Sequence, residues 1–174
     1  YVPVSSLEVV TAANPDYACC TFRGHVMAVN GDDGSVLWDS YAIPNPPIST
    51  GDTAAGTKIF APSGAPVWTS PTIDIDLNLL IFGTGENYSS PADQNSDAVI
   101  AVRLDTGERL WSRQTFPDDA WNVACMMVDN PNCPEEDGPD YDQASSPLLV
   151  DIGAGKTVVV AGQKDGRVFA LDWE

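Results

Sequence analysis

The sequence predicts an all-β chain, a partial β-propeller of about two and a half four-stranded antiparallel blades. Three observations carry this. A hairpin pattern ending in Trp occurs twice and begins a third time, at intervals of about seventy residues. The 14 Gly and 14 Pro are spread between short apolar runs, as turn-rich β chains require. No stretch of useful length shows the capped, 3.6-residue periodicity of a helix.

The repeat is explicit. Ala28-Val29-Asn30-Gly31-Asp32-Asp33-Gly34-Ser35-Val36-Leu37-Trp38 recurs as Ala101-Val102-Arg103-Leu104-Asp105-Thr106-Gly107-Glu108-Arg109-Leu110-Trp111. Val168-Phe169-Ala170-Leu171-Asp172 begins another copy. Each copy reads as an apolar strand, a turn on Asp-Gly or Thr-Gly, and a second strand closing on Trp. The hairpins fall at 25–38, 98–111 and 167–174, within one unit spanning 1–174. Upstream lies a second repeated element. Thr69-Ser70-Pro71 leads into Leu79-Leu80-Ile81-Phe82-Gly83, and Ser145-Ser146-Pro147 into Val158-Val159-Val160-Ala161-Gly162. Together the two elements make one four-stranded blade. A propeller closes with roughly four to eight blades, so this chain is expected to be a segment of a larger one. A small twisted β-sandwich that uses the hairpin twice is the competing architecture.

Composition narrows the function. Against 25 Asp and Glu stand 8 Lys and Arg, a formal charge of −17 that repels phosphate backbones and excludes ordinary nucleic-acid binding. It also disfavours anionic lipid. No run of about eighteen apolar residues is present, so no membrane-spanning helix is expected. Tyr1-Val2-Pro3-Val4 has no initiator Met, basic n-region or apolar h-region, and any signal peptide is expected to lie outside this sequence. Most carboxylates are read as a solvated surface; composition alone does not select any that bind cations.

Four cysteines with no CxxC spacing argue for disulfides in an oxidising compartment rather than a zinc site. Cys125 and Cys133 bracket a loop rich in Asn, Asp and Pro and are expected to bridge. Cys19 and Cys20 are adjacent, a geometry that commonly leaves thiols reduced or paired elsewhere; two buried thiols are the plain reading.

The Ala…Gly…Trp hairpin resembles the tryptophan-docking motif of pyrroloquinoline quinone (PQQ) dehydrogenase propellers. Longer strings strengthen the resemblance: Tyr17-Ala18-Cys19-Cys20-Thr21-Phe22-Arg23-Gly24, Val67-Trp68-Thr69-Ser70-Pro71, Phe82-Gly83-Thr84-Gly85-Glu86-Asn87-Tyr88-Ser89, Asp119-Ala120-Trp121-Asn122 and Gly162-Gln163-Lys164-Asp165-Gly166. In that order they resemble the polyvinyl-alcohol dehydrogenase branch. The resemblance implies a quinoprotein propeller of about eight blades, with PQQ and calcium as cofactors.

By that resemblance Trp68 stacks on the flat quinone, an aromatic plane against a π-rich tricycle. Cys19 and Cys20 form a vicinal disulfide over the opposite face, although Cys19 also takes the place of a calcium-binding Glu in the methanol dehydrogenases. Arg23 suits a PQQ carboxylate. Glu86 stands where the family has a calcium-binding Asn, and Asn87 adjoins it; both offer hard oxygen. Lys164 matches the cation beside the reactive carbonyl. The general base is displaced, because Asn122 follows Trp121 where methanol dehydrogenases carry Asp, and Asn accepts no proton at neutral pH. Asp119, or Asp118, is the substitute expected. Asp137, Asp140 and Asp142 lack EF-hand spacing and read as a solvated loop. His25 is read as structural.

The implied function is alcohol oxidation by hydride transfer to the quinone. The substrate would be a primary or secondary alcohol, polymeric ones such as polyvinyl alcohol included. Electrons would pass to an acceptor such as a cytochrome c, in a periplasmic or secreted setting. No CxxCH occurs, so no c-type haem is expected on this segment. A cofactor-free binding scaffold built from the same blades is the alternative.

Overall fold

A computed structural model describes residues 1–173. Four antiparallel sheets follow one another along the chain. The first contains β1 (Val2–Val4), β2 (His25–Val29) and β3 (Val36–Tyr41). A two-stranded ribbon follows, β4 (Ile48–Asp52) with β5 (Lys58–Ala61). The complete blade is β6 (Thr72–Asp74), β7 (Leu79–Gly83), β8 (Ala98–Arg103) and β9 (Arg109–Gln114). The last sheet comprises β10 (Leu148–Gly153), β11 (Lys156–Gly162) and β12 (Val168–Asp172). Helical structure among the described residues amounts to one short α-helix, α1 (Glu8–Thr11), and one 3₁₀ turn (Val123–Met126).

The repeated sequence yields repeated geometry. Ala28 pairs with Trp38 across β2 and β3, and Ala101 with Trp111 across β8 and β9, each followed by a register shift. Gly34, Gly107 and Gly166 take positive φ in the three corresponding turns, a conformation that Gly adopts without steric cost. The third hairpin, expected at 167–174, is described up to Trp173; Glu174 lies outside the described residues.

The core follows from side-chain alternation on β7 and β8. Leu80, Phe82, Ile100 and Val102 face the first sheet, joining Val26, Ile43 and Val67. Their sequence neighbours Leu79, Ile81, Val99 and Ala101 face the last sheet, joining Val159 and Ala161. Both strands are therefore buried on both faces, which is why they read as continuous apolar runs.

Trp38 connects the first sheet to this blade, packed against the core that contains Leu80 and Phe82. A Cβ placed on Gly107 would lie 2.6 Å from the Trp38 ring. The turn of one blade is thus the seat for the Trp of the one before it. Trp111 repeats the theme, its indole N–H donating to the Trp173 carbonyl at 2.7 Å.

Two predictions follow from this packing. Gly107→Ala combines a strained left-handed backbone with overpacking and should destabilise the full-length protein by about 2–4 kcal/mol in urea unfolding. Adding Trp38→Ala removes the clash, so the pair should cost less than the sum of its members; strict additivity would mean that the ring is not seated there. The structure also bonds Cys19 to Cys20 and Cys125 to Cys133. Thiol titration of denatured, unreduced protein should accordingly detect no sulfhydryl from these four residues.

Candidate active site

The loops leaving one end of the sheets form an open cavity of about 320 Å³ lined by Trp68, Glu86, Tyr88, Trp121, Asp140 and Asp142, with Lys164 at its side. Trp68 is 46% exposed, unlike the Trp residues of the repeat, and so offers a ring face to a ligand. The Lys164 ammonium lies 5.6 Å from the centroid of that ring. Glu86 lies just beyond β7, and its backbone N–H donates to Asp142 Oδ1 at 3.0 Å. Lys164, just beyond β11, donates to Asp140 Oδ1 at 2.7 Å and pairs with Asp142 Oδ2.

Glu86, Asp140 and Asp142 bring carboxylate oxygens within 4.8 Å of one another. Burial pushes the Glu86 carboxyl well above its usual range, and the adjoining Asp142 and Asp140 add to the shift. Asp140 rises to about 6, raised by burial and Asp142 and opposed by Lys164. For Lys164, burial works against the ammonium, but its bonds to Asp140 and Asp142 prevail and hold its proton more firmly than in a free lysine. Three carboxylates around one ammonium carry surplus negative charge, and a hard divalent cation is the ligand such oxygens favour.

Several residues expected at the site are placed elsewhere. Asp119 is fully buried, and its two oxygens accept the Asp140 and Tyr141 backbone N–H groups at 3.1 and 2.8 Å. It anchors the loop carrying Asp140 and Asp142 and does not line this cavity. Asn87 is also fully buried; its amide donates to the Ser63 carbonyl and accepts the Asp93 N–H, so both ends of the side chain are engaged within its own loop region. The Arg23 guanidinium donates to the Ile43 and Pro44 carbonyls at 2.8 and 2.9 Å and lies over the Tyr41 ring. It too is outside this cavity. His25 bonds Asp39 and stacks on Tyr41, a role within the first sheet.

Cys19 and Cys20 pack with Ala12 and Tyr88. Tyr88 also lines the Trp68 cavity, whereas Cys19 lines a separate cavity of about 310 Å³ beside Ser89 and Cys133. The vicinal pair therefore backs the site through Tyr88. Glu8 fixes that arrangement: its carboxylate accepts the Tyr17 hydroxyl at 2.8 Å and the Thr21 and Phe22 N–H groups at 2.9 and 2.7 Å.

By spacing alone Asp137, Asp140 and Asp142 read as a solvated loop, yet the structure brings Asp140 and Asp142 to the cavity. Asp142 is only 2% exposed. The available signal is not their spacing but their position shortly before Ser145-Ser146-Pro147, the between-blade place that Trp68 holds before Thr69-Ser70-Pro71. Nothing in a one-dimensional pattern shows that Asp119 pulls them inward.

Asn122 gains a positive explanation. Its amide donates to the Tyr88 and Asn132 carbonyls at 2.9 and 2.7 Å, and its oxygen caps the 3₁₀ turn through the Ala124 N–H. A carboxylate cannot donate either of the first two bonds. Asn122→Asp should therefore lower stability by roughly 2–4 kcal/mol through two buried carbonyls left without donors. Equal midpoints in chemical denaturation would refute this account of the amide.

Comparison with known proteins agrees with this architecture. Residues 6–174 match the PQQ family described as the glucose/ethanol/alcohol dehydrogenase β-propeller domain. The polyvinylalcohol dehydrogenase of Pseudomonas sp is 35% identical over 172 residues, which cover 99% of this chain and 27% of that protein. That of Sphingopyxis sp. (strain 113P3) is 34% identical over 174 residues, again 99% and 27%. The quinohemoprotein alcohol dehydrogenase from Comamonas testosteroni shares the fold with a TM-score of 0.61 at 24% identity, covering 87% of this chain and 23% of its own. This chain thus spans about a quarter of the length of such relatives, and with the repeats, the partial propeller and the family match in agreement, it belongs to the PQQ family of alcohol dehydrogenase β-propellers.

Proposed function

We propose that the protein containing this segment oxidises alcohols with PQQ and calcium, and that the Trp68 cavity contributes one side of the active site. The observation that carries the reading is the convergence of an exposed Trp ring, an ammonium group and three carboxylates on one cavity. Trp68 fits a flat aromatic ligand. Glu86 and Asp142, both buried, fit a hard cation through their oxygens. When bound, PQQ supplies the hydride acceptor and calcium supplies Lewis acidity toward it.

The chain's own groups divide the remaining work. Lys164 places a positive charge beside the Trp68 face, where it steadies negative charge developing on the ligand. Asp140 is the most open carboxylate of the three, with 29% of its side chain exposed, and it accepts the proton of the substrate hydroxyl. Asp119 acts at one remove by holding the Asp140 backbone. Tyr88 and Trp121 line the cavity walls beside these groups. The relatives named for polyvinyl alcohol support a secondary, polymeric alcohol as substrate. A haem protein as electron acceptor and a periplasmic or secreted location complete the proposal, the latter consistent with two disulfides.

The test uses the full-length protein reconstituted with PQQ and calcium and monitored by quinone absorbance and alcohol turnover. Trp68→Ala should weaken PQQ binding by roughly 1–3 kcal/mol, with no rescue by calcium. Glu86→Gln should lower calcium affinity, and excess calcium should partly restore turnover. Asp140→Asn should cut kcat by about 10²–10⁴ while both cofactors still bind. Full turnover in Asp140→Asn would place the base on another residue, and failure of the parent to bind PQQ would end the reading.

A further inference from the structure

A second set of oxygens lies beside the Glu86 cluster and has no part in the chemistry above. Asp97 sits fully buried at the entrance to β8, its N–H donating to the Gly85 carbonyl at 3.0 Å. Neither oxygen of its carboxylate has a hydrogen-bond partner. The amide oxygens of Gln143 and Gln163, also buried, lack partners as well. Each of these contacts adjoins a residue of the first cluster: Gly85 precedes Glu86, Gln143 follows Asp142, and Gln163 precedes Lys164.

Thr115 orients the set. Its hydroxyl donates to the Asp97 carbonyl at 2.5 Å and accepts the Gln143 and Gln163 amide N–H groups at 2.5 and 3.1 Å. One hydroxyl has a single proton and two lone pairs, so it is saturated. With that proton committed to Asp97, both amides must present nitrogen to Thr115, and their oxygens must turn away from it. Rotating either amide would set oxygen against oxygen. Four acceptors are thereby left, two on a carboxylate and one on each amide, with no protein donor among the described residues.

The surrounding field is negative. Burial, and then Asp119, Asp142 and Asp140, raise the Asp97 carboxyl to about 9. The nearby ammonium of Lys164 is committed to Asp140 and Asp142. A field that favours a proton on Asp97 equally favours a cation in its place, and the mixture of carboxylate and amide oxygens suits calcium, with further oxygens completing its shell.

We propose that Asp97, Gln143 and Gln163 form a second calcium site, separate from the Glu86 cluster, that ties the complete blade to the next. Asp97 and Thr115 belong to the blade β6–β9, Gln163 follows β11, and Gln143 lies on the connection between them.

The experiment counts calcium per chain by plasma mass spectrometry in full-length, PQQ-free protein equilibrated with calcium and freed of excess. Asp97→Asn should bind one ion fewer than the parent, Glu86→Gln should also bind one fewer, and the two losses should add. Gln163→Met, similar in size but without a ligating oxygen, serves if Asp97→Asn does not fold; it should lose the same ion and part of the calcium-induced rise in Tm. An unchanged count and an unchanged Tm response in the folded Asp97 or Gln163 variant would overturn the proposal and assign the pocket to water or a protonated carboxyl. Loss of an ion only in Glu86→Gln would do the same while leaving the catalytic reading intact. Loss only in Asp97→Asn would support the second site and count against calcium at the first.

Discussion

Trp38 seated on the Gly107 turn is the contact on which the remaining placements depend. It sets the spacing between the first sheet and the complete blade, and that spacing allows Leu80 and Phe82 to meet Val26, Ile43 and Val67. The opposite faces of β7 and β8 are then free to serve the next sheet. Functional side chains lie on the loops leaving these strands: Glu86 after β7, Lys164 after β11 and Trp68 before β6. Their mutual distances are therefore set by how closely the sheets stack. Apolar packing supplies the precision that the polar cavity requires.

The electrostatic organisation runs counter to ordinary burial. Glu86, Asp97, Asp119 and Asp142 are all below a tenth exposed, and Lys164 is the cation paired within their group. The chain tolerates these carboxylates by different means. Asp119 is satisfied by backbone N–H groups, Asp142 by Lys164 and the Glu86 N–H, and Asp97 by nothing the protein provides among the described residues. This gradation separates a structural anchor from groups suited to a ligand. It also separates Glu8, whose carboxylate is saturated by Tyr17, Thr21 and Phe22, from the candidate metal ligands.

The repeat made the fold legible in advance. Paired Ala and Trp positions gave the hairpins, the Gly positions gave their turns, and uninterrupted apolar runs gave β7, β8 and β11. Within the site, Trp68 stands out in the sequence because it lies outside the docking repeat. Glu86 and Lys164 are reached only through the family resemblance. Arg23 and Asn87 have equally suitable chemistry, yet their partners are backbone carbonyls and an N–H group that residue types cannot reveal. Asp140 and Asp142 were obscured for the converse reason. A cluster of Asp, Pro and Gly reads as solvent-facing until the Asp119 anchor turns it inward.

Asn122 separates a residue's place along the chain from its place in space. Its amide is bound into the Tyr88 and Asn132 carbonyls, so the side chain that follows Trp121 serves as a fastener. The carboxylates of the Trp68 cavity come instead from Glu86 and from a later loop, through Asp140 and Asp142. In a fold whose cavity is walled by loops from several stacked sheets, adjacency along the chain is a poor guide to which charges stand together, because the stacking and not the order of residues brings them to one place.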